Sequence, residues 1–281
     1  MERVTANQNQ CDLDAEYEIN RTVEFAAQVN AERIALQFPD EMLFAAVAIS
    51  KRLSALTGKQ VYIMADTTFG SCCVDVIAAQ HASADLIVHY GPCCLSRPSV
   101  SSPVLFIFNK AHLDSNELVS YFTATFRPTD CVLMLYDVMY HHHRDSIRLM
   151  LEECGFNALI WPSIHSEYRS TDSNEKLGTS YSLQSSLQSL SDTSVFYIGA
   201  ESLNLTNLIL THSQCKSVVA YDPVTKQGGI QTGSANKLLM RRYYAVQQAK
   251  DADVVGIVIG TSGLGNSYLY NGIEQLGLQM M

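Results

Sequence analysis

Hydrophobic residues occur along this chain mostly as short runs, and the stretches between them repeat apolar positions with helical spacing. In the first part of the chain the runs cover residues 33–37, 61–65, 86–89 and 104–108. The intervening patterns predict an opening helix over 14–29, a helix over 42–56 that ends at Gly58, and a short helix over 76–81. Short apolar strands that alternate with helices are typical of βαβ units with a buried parallel sheet.

The same alternation continues in the second part of the chain. Apolar runs predict strands at 131–136, 158–161, 195–198 and 217–221, with helices over 145–154 and 203–212. A helix over 235–249 with Ser234 as its N-cap follows, then a last strand at 254–259 and a closing helix near 267–276. We therefore predict an α/β protein with repeated Rossmann-like parallel-sheet domains, two of them complete and a third only begun.

Changes in composition indicate where these units begin and end. We predict a disordered N-terminus over 1–13, a first α/β domain over 14–117 and a second over 118–233. Residues 163–193 are rich in Ser, Thr, Gln and Asn, which is typical of a flexible loop within the second domain. Residues 234–281 would form a linking helix and an incomplete third domain. Since a single strand–helix pair cannot bury its own apolar faces, this part should dock on the preceding sheet, pair with another chain, or continue beyond Met281.

Composition and charge narrow the class of protein. The chain is 47% hydrophobic and 17% charged, which is enough apolar material for buried cores and excludes a disordered chain. The net charge of −9 argues against nucleic acid as a partner. The polar start and the lack of an apolar run of about 20 residues predict neither a signal peptide nor a membrane span. We expect a soluble protein of the cytoplasm.

Two pairs of adjacent cysteines, Cys72-Cys73 and Cys93-Cys94, are the main chemical feature of the chain. Each pair follows a predicted strand, and the carboxyl ends of parallel strands meet at one edge of a sheet. Thiols from both loops can therefore meet in space. Thiolates bind soft metals, as zinc or as an iron–sulfur cluster, whereas a reducing cytosol disfavours disulfides. Buried structural thiols are the alternative interpretation.

Several motifs around these cysteines resemble the diphthamide synthesis proteins, the family of the paired subunits of 2-(3-amino-3-carboxypropyl)histidine synthase. The resemblance lies in LQFPDE at 36–41, ADTTFGSCCVD at 65–75 and HYGPCCLS at 89–96. It continues in FYIGAESL at 196–203 and in RRYYAVQQAKDADVVGIVIGTSG at 241–263, and so runs from about residue 17 to 265. The LQFPDE opening and the GTSG element are more similar to the second, accessory kind of subunit.

This resemblance implies a role in the first step of diphthamide biosynthesis, the modification of a histidine of translation elongation factor 2. The family uses a [4Fe–4S] cluster to cleave S-adenosylmethionine reductively and release a 3-amino-3-carboxypropyl radical. It implies a heterodimer with the catalytic subunit, supplied by an electron-donor protein. The accessory subunit would be non-catalytic or redox-assisting, keeping the cluster of its partner reduced. S-adenosylmethionine would be bound by the complex.

The resemblance also implies which residues hold the cluster. The ligands would be Cys73 and Cys94, with Cys72 as the alternative for the first position and a third cysteine expected from the third domain, beyond Met281. Cys93 would lie beside a ligand or be a neutral variation. Two other functions remain open: a cofactor-free scaffold or regulatory partner of the catalytic subunit, and a zinc-stabilised α/β protein.

Other polar residues have a structural interpretation that we favour over a functional one. The run Tyr140–Arg144, with three histidines, is interpreted as a solvated loop or helix N-terminus, and the loop at 260–265 as a tight turn rather than a phosphate site. Asp66 and Asp75 are interpreted as turn or cap residues, and His89 as either a crevice residue or a satisfied strand-end histidine. Of the remaining cysteines, Cys131 and Cys154 are expected to be packing residues, and Cys11 and Cys215 to be thiols without a partner. Arg241 and Arg242 are expected to be solvated charges or subunit contacts.

Overall fold

The first of two sheets contains the early apolar runs of the sequence. The structure is a computed structural model, and it describes residues 13–64, 71–95, 102–169, 190–212, 214–254 and 256. The strands of this sheet are β1 (Arg33–Gln37), β2 (Gln60–Met64), β3 (Leu86–Tyr90), β4 (Val104–Ile107) and β7 (Glu167–Tyr168). Their order is β2-β1-β3-β4-β7, and all are parallel except β7, which pairs antiparallel with β4.

The second sheet repeats this arrangement. Its strands are β5 (Val132–Tyr136), β6 (Leu159–Ile160), β8 (Ser194–Ile198), β9 (Ser217–Asp222) and β10 (Gln227–Ile230). Their order is β10-β9-β8-β5-β6, and only β10 is antiparallel to its neighbour. Two mostly parallel five-stranded sheets confirm the predicted α/β fold with repeated Rossmann-like units. The predicted start of a third unit lies outside the described residues, apart from residues 254 and 256.

The helices cover both faces of the two sheets. They are α1 (Ile19–Gln28), α2 (Leu43–Thr57), α3 (Val76–His81), α4 (Ser115–Thr125), α5 (Arg144–Glu153), α6 (Leu203–Thr211) and α7 (Thr232–Lys250). Short 3-10 segments lie at Asp40–Met42, Val138–His143 and Leu190–Asp192. In the part of the chain that the structure describes, no helix combines the length and the apolar character that crossing a membrane requires.

The core is divided by each sheet into two layers. In the first unit, α1 and α2 pack on one face and α3 on the other, where Tyr168 of β7 also packs. In the second unit, α4 and α5 cover one face and α6 the other. Every residue of β3, β5 and β8 is buried. These strands are almost entirely apolar because both of their faces are covered.

Several element boundaries differ from the sequence prediction. The predicted opening helix is divided in two. Residues 13–16 are helical, and α1 begins at Ile19, because Glu18 adopts a left-handed conformation with φ 48° that interrupts the helix. The helix α7 begins at Thr232, so the prediction of Ser234 as an N-cap is wrong: Gln231 occupies that position without a side-chain hydrogen bond.

The helix α4 and the strand β10 have no counterpart in the sequence prediction. The helix α4 is rich in Thr, Val, Tyr and Phe, which weaken the helical signal, but Asp114 caps it by accepting hydrogen bonds from the amides of Asn116 and Glu117. The strand β10, with the sequence QGGI, has little intrinsic strand preference and forms as the return strand of a hairpin with β9.

The prediction of a flexible loop over 163–193 is wrong at both ends of this range. Residues Glu167–Tyr168 form β7, and Leu190–Asp192 form a 3-10 turn, while 170–189 lie outside the described residues. The amide of Phe106 donates to the carbonyl of Ser166 at 2.8 Å, so this segment covers the edge of β4. A piece of the predicted second domain therefore extends the first sheet, and the domain boundaries at 117/118 and 233/234 stay a prediction.

Candidate metal centre

Three cysteine thiols converge at the carboxyl edge of the first sheet. Cys72 and Cys73 lie between β2 and α3, and Cys94 follows β3. The Sγ of Cys73 lies 3.7 Å from that of Cys72 and 3.8 Å from that of Cys94, and all three sulfurs lie within 4.8 Å of one another. The amide of Cys94 also donates to the carbonyl of Cys72 at 3.1 Å, which ties the two loops together. The two loops therefore meet as the sequence predicted.

A sharp turn at Gly91 directs the loop after β3 toward the other thiols. Gly91 has φ +92°, and a Cβ there would lie 2.8 Å from the Cγ of Pro39 and 3.2 Å from the Sδ of Met42. Tyr90, just before it, stacks on Phe38 with ring centroids 4.5 Å apart. Only glycine combines this φ with so close an approach of the β1 loop.

Two buried polar side chains hold the cysteine loops, and one of them was missed by the sequence analysis. Gln37, 1% exposed, donates from Nε2 to the carbonyl of Cys73 at 2.8 Å and accepts at Oε1 from the amide of Asp75 at 2.9 Å. His89, fully buried, contacts the carbonyl of Pro92 through Nε2 at 2.9 Å. A polar residue at the end of the apolar run RIALQ was the available signal for Gln37.

Burial keeps the thiols of Cys73 and Cys93 protonated when no metal binds them. It raises the pKa of Cys73 to about 12, with a smaller contribution from hydrogen bonds and charges of Cys72 and Cys94. Burial also raises the pKa of Cys93 to about 12, and the Sγ of Cys93 accepts from the amide of Leu95 at 3.2 Å. The sulfur of Cys93 lies outside the group of three. A metal that binds Cys73 would have to displace its proton.

The acidic and histidine candidates near this site have structural roles. Asp75 caps α3 by accepting from the amide of Ala78 at Oδ1 (2.9 Å), which confirms its interpretation as a cap residue. Its Oδ2 and the Nδ1 of His89 are buried and have no hydrogen-bond partner among the described residues. His89 is thus a buried strand-end histidine, and burial lowers its pKa. Asp66 lies outside the described residues.

The three consecutive histidines lie at a helix N-terminus, one of the two predicted structural interpretations. They end the 3-10 segment that leads into α5. His141 is half-buried rather than solvated: its ring packs against Tyr136 and Phe108, and its Nδ1 lies 3.1 Å from the hydroxyl of Tyr136. Burial lowers the pKa of His141, and the positive charge of Arg144 lowers it further.

The remaining candidates lie away from the three thiols. Cys154 is exposed, so its predicted packing role is wrong: it is the C-cap of α5, where the chain turns out to solvent. Cys131 is half-buried and accepts from the hydroxyl of Thr193 at 3.8 Å, and Cys215 packs against the α6 side of the second sheet. Arg241 and Arg242 are exposed on α7. Cys11 and the loop at 260–265 lie outside the described residues.

A cavity of about 340 Å³ adjoins Cys94. It lies between the two units, because its walls come from the Cys93–Cys94 loop and from Asp137, Tyr197 and Asn204 of the second unit. Asp137 accepts a 2.5 Å hydrogen bond from the hydroxyl of Tyr197. Burial raises the pKa of this carboxyl group, although hydrogen bonds from Tyr197 and Asn204 oppose the rise. The three polar side chains therefore lie beside Cys94 in a cavity whose wall is otherwise mostly apolar.

The donor set of this site suits a soft metal. Three thiols from two loops converge without a carboxylate among them, and thiolate ligands select zinc, copper(I) or iron–sulfur clusters. The fold and the site thus define a class: an α/β protein with repeated parallel-sheet units and a group of three converging cysteine thiols at a carboxyl edge.

Comparison with known proteins gives the family. The model of the diphthamide synthesis protein family matches residues 38–275, and the chain belongs to this family. A curated relative, 2-(3-amino-3-carboxypropyl)histidine synthase subunit 2 of Danio rerio, is 37% identical over 281 residues, which cover 94% of this chain and 55% of the relative. The protein of the same name from Schizosaccharomyces pombe is 38% identical over 268 residues, 92% of this chain and 52% of the relative. The chain spans about half the length of these relatives.

Solved structures share the fold. Dph2 from Pyrococcus horikoshii superimposes with a TM-score of 0.61 at 15% sequence identity, covering 94% of this chain and 75% of that one. A second structure of that protein, determined with a 4Fe–4S cluster, superimposes with a TM-score of 0.62 at 16% identity over 93% of this chain and 75% of that one. The family and the fold expected from the sequence motifs are both confirmed.

Proposed function

We propose that this chain acts as the accessory subunit of 2-(3-amino-3-carboxypropyl)histidine synthase in the first step of diphthamide biosynthesis. The observation that carries the proposal is that thiols from two separate loops, Cys72–Cys73 and Cys94, converge at one edge of the sheet in a member of this family. The names of the relatives support the assignment to subunit 2, and the cluster in the Pyrococcus horikoshii protein supports an iron–sulfur centre. In this role the chain helps to keep the cluster of the catalytic subunit reduced.

The proposed cluster ligands are Cys73 and Cys94, with Cys72 as the alternative for the first position and a third cysteine expected from the third domain. When bound, a [4Fe–4S] cluster supplies one-electron transfer. The chain holds its two thiols at one edge of the sheet through Gln37 and the turn at Gly91. Cys93 keeps its proton, because burial raises its pKa to about 12.

The proposal includes the rest of the reaction system. The partner is the catalytic subunit in a heterodimer, an electron-donor protein reduces the pair, and translation elongation factor 2 is the substrate. S-adenosylmethionine is bound by the complex, and the complex acts in the cytoplasm. The cavity beside Cys94 supports the binding of a small molecule next to the thiols.

Anaerobic reconstitution of the heterodimer with iron and sulfide tests this function. The accessory chain should gain the broad visible absorbance and, after reduction, the electron paramagnetic resonance of a [4Fe–4S] cluster. Cys73→Ser and Cys94→Ser should remove both signals from this chain, whereas Cys154→Ser, at an exposed position, should leave them unchanged. Absence of cluster signals from the wild-type chain within the complex would refute the redox role. Retention of the partner by the metal-free Cys73→Ser/Cys94→Ser chain would favour a scaffold.

The sulfur separations favour a second candidate, a zinc-stabilised protein. Two thiolates on one tetrahedral ion with zinc–sulfur bonds of about 2.3 Å lie about 3.8 Å apart. The observed separations of 3.7 and 3.8 Å match this value. In a cluster each cysteine binds a different iron, which holds the sulfurs farther apart.

Metal analysis and one substitution separate the two candidates. Zinc bound by three thiols should be lost in Cys72→Ser as readily as in Cys73→Ser. A cluster held by Cys73 and Cys94 should survive Cys72→Ser. One zinc ion per anaerobically purified heterodimer, with no iron beyond that of the catalytic subunit's cluster, would decide for the zinc-stabilised protein.

A further inference from the structure

Gln37 and His89 occupy paired positions on neighbouring strands. They are register partners at the carboxyl ends of β1 and β3, two residues beyond Ala35 and Ile87, which pack on the α3 side of the sheet. Because side chains alternate along a strand, Gln37 and His89 lie on that same side. Both are buried, with 1% and 0% of their surface exposed. Polar side chains are seldom buried so completely unless a hydrogen bond requires it.

Gln37 binds the backbone on both sides of the cysteine loop. Its amide nitrogen donates to the carbonyl of Cys73, and its amide oxygen accepts from the backbone amide of Asp75. The side chain thus forms one donated and one accepted hydrogen bond with the backbone, as a neighbouring strand would. Asp75 in turn caps α3. The side-chain amide of Gln37 therefore links the end of β1 to Cys73 and to the start of α3.

His89 holds the other loop in the same manner. Its Nε2 lies 2.9 Å from the carbonyl of Pro92, two residues before Cys94. Because a carbonyl only accepts, Nε2 carries the proton and donates it. The ring is fixed from its other side by an edge-on contact with Phe106, with centroids 5.6 Å apart. Each cysteine loop is therefore attached to one polar side chain of the same register pair.

We propose that Gln37 and His89 are paired positioning residues that set the distance between the thiols of Cys73 and Cys94. This inference deepens the proposed function and rests on it in so far as these thiols bind a metal centre. Adjacent strands hold the two side chains at a constant separation, and each side chain transfers that constraint to one loop. Partners that orient metal ligands in this way typically account for about 10- to 100-fold in metal affinity.

The test compares four variants of the full chain, in complex with the catalytic subunit and under anaerobic conditions. Gln37→Met removes both hydrogen bonds of the amide, and Gln37→Glu removes only the donor to Cys73. His89→Phe keeps an aromatic ring but removes the donor, and His89→Gln restores an N–H near the position of Nε2. Ser194→Ala is the matched control, because it removes a buried 3.0 Å hydrogen bond with Ser217 in the second unit.

The readouts are the Co²⁺ affinity, from competition with a chelator, and the resonance signal of the reduced cluster. Gln37→Met and His89→Phe should weaken Co²⁺ binding about 10- to 100-fold and shift the cluster signal. Gln37→Glu should weaken Co²⁺ binding too, because it lacks the donor to Cys73. His89→Gln should recover most of the affinity, and Ser194→Ala should bind as the wild type does despite its lower stability. Wild-type affinity and an unchanged signal in Gln37→Met and His89→Phe would overturn the proposal.

A metal-free arm separates failure of this inference from failure of the proposed function. If the wild-type chain binds neither Co²⁺ nor a cluster, the proposed function fails, and thiol alkylation of the apo chain decides the inference. Cys73 should then be alkylated faster in Gln37→Met and Cys94 faster in His89→Phe, each relative to exposed Cys154 as internal standard. Unchanged alkylation rates at both thiols would reject the positioning role.

Discussion

The sulfurs of Cys73 and Cys94 lie 3.8 Å apart although the residues are 21 positions apart in sequence. The parallel sheet explains this contact. β2 and β3 both pair with β1 in parallel, so the loops after them leave from the same edge. Neighbouring residues of both loops maintain that contact.

Metal binding by the three thiols should strengthen as the pH rises. Burial raises the pKa of Cys73 to about 12, so at neutral pH its thiol is protonated and a metal must displace the proton. The association constant for Co²⁺ should therefore rise about tenfold per pH unit for each proton displaced. A plot of its logarithm against pH should lose about one unit of slope in Cys73→Ser. An equal slope in wild type and Cys73→Ser would contradict binding through this thiol.

Alanine at Gly91 should be far more harmful than alanine at Gly155. Both glycines have positive φ, +92° and +89°, but a Cβ at Gly155 meets nothing within 4 Å, whereas at Gly91 it meets Pro39 at 2.8 Å. Gly155→Ala should cost about 1 to 2 kcal/mol of unfolding free energy from the backbone alone. Gly91→Ala should cost more and also weaken Co²⁺ binding, because the clash displaces the loop of Cys94. Urea unfolding and Co²⁺ titration measure both, and equal losses in the two variants would show that the contact with Pro39 is irrelevant.

Removing the cap of α3 should loosen the end of the Cys72–Cys73 loop. Asp75→Ala loses the acceptor for the amide of Ala78 and should lower the unfolding free energy by about 1 kcal/mol. Asp75→Ser keeps a good capping side chain and should retain most of the stability. Urea unfolding of the two variants tests this. If serine proved as damaging as alanine, the carboxylate of Asp75 would have a role other than capping.

His89 should make the protein less stable in mild acid. Burial lowers its pKa, so the folded protein keeps the ring neutral while the unfolded chain takes up a proton near pH 6.5. The stability from this group is fully present above pH 6.5 and is lost as the pH falls below 6.5 toward the lowered pKa of the folded state. The corresponding slope is at most about 1.4 kcal/mol per pH unit.

His89→Phe should remove this part of the pH dependence. Its unfolding free energy, measured in urea between pH 7 and pH 5, should fall less steeply than that of the wild type, even if it is lower at pH 7. Parallel curves for the two proteins would mean that His89 takes up no proton on unfolding in this range.

Much of the fold was predictable because parallel strands with both faces covered must be apolar throughout. The runs that became β1, β3, β5 and β8 are of this kind, and Gly58 ends α2 with φ +67° as expected. Elements that depend on a neighbour escaped prediction. The two residues of β7 form a strand only because the exposed edge of β4 offers them hydrogen bonds, and β10 exists only as the return strand of a hairpin.

For the candidate site, the amino-acid sequence alone determined the chemistry: two cysteine pairs, each in the loop that follows a parallel strand, and the motifs of one protein family. The order of the residues and the hydrophobic pattern are enough to predict this chemistry. They specify which residues follow the end of a strand and at which edge of the sheet those residues lie. Only the tertiary structure decided which sulfurs touch, that Cys93 lies outside the group, and that Gln37 and His89 hold the two loops. These facts depend on side-chain direction and on strand register, in which a shift of one residue exchanges the two faces of a sheet.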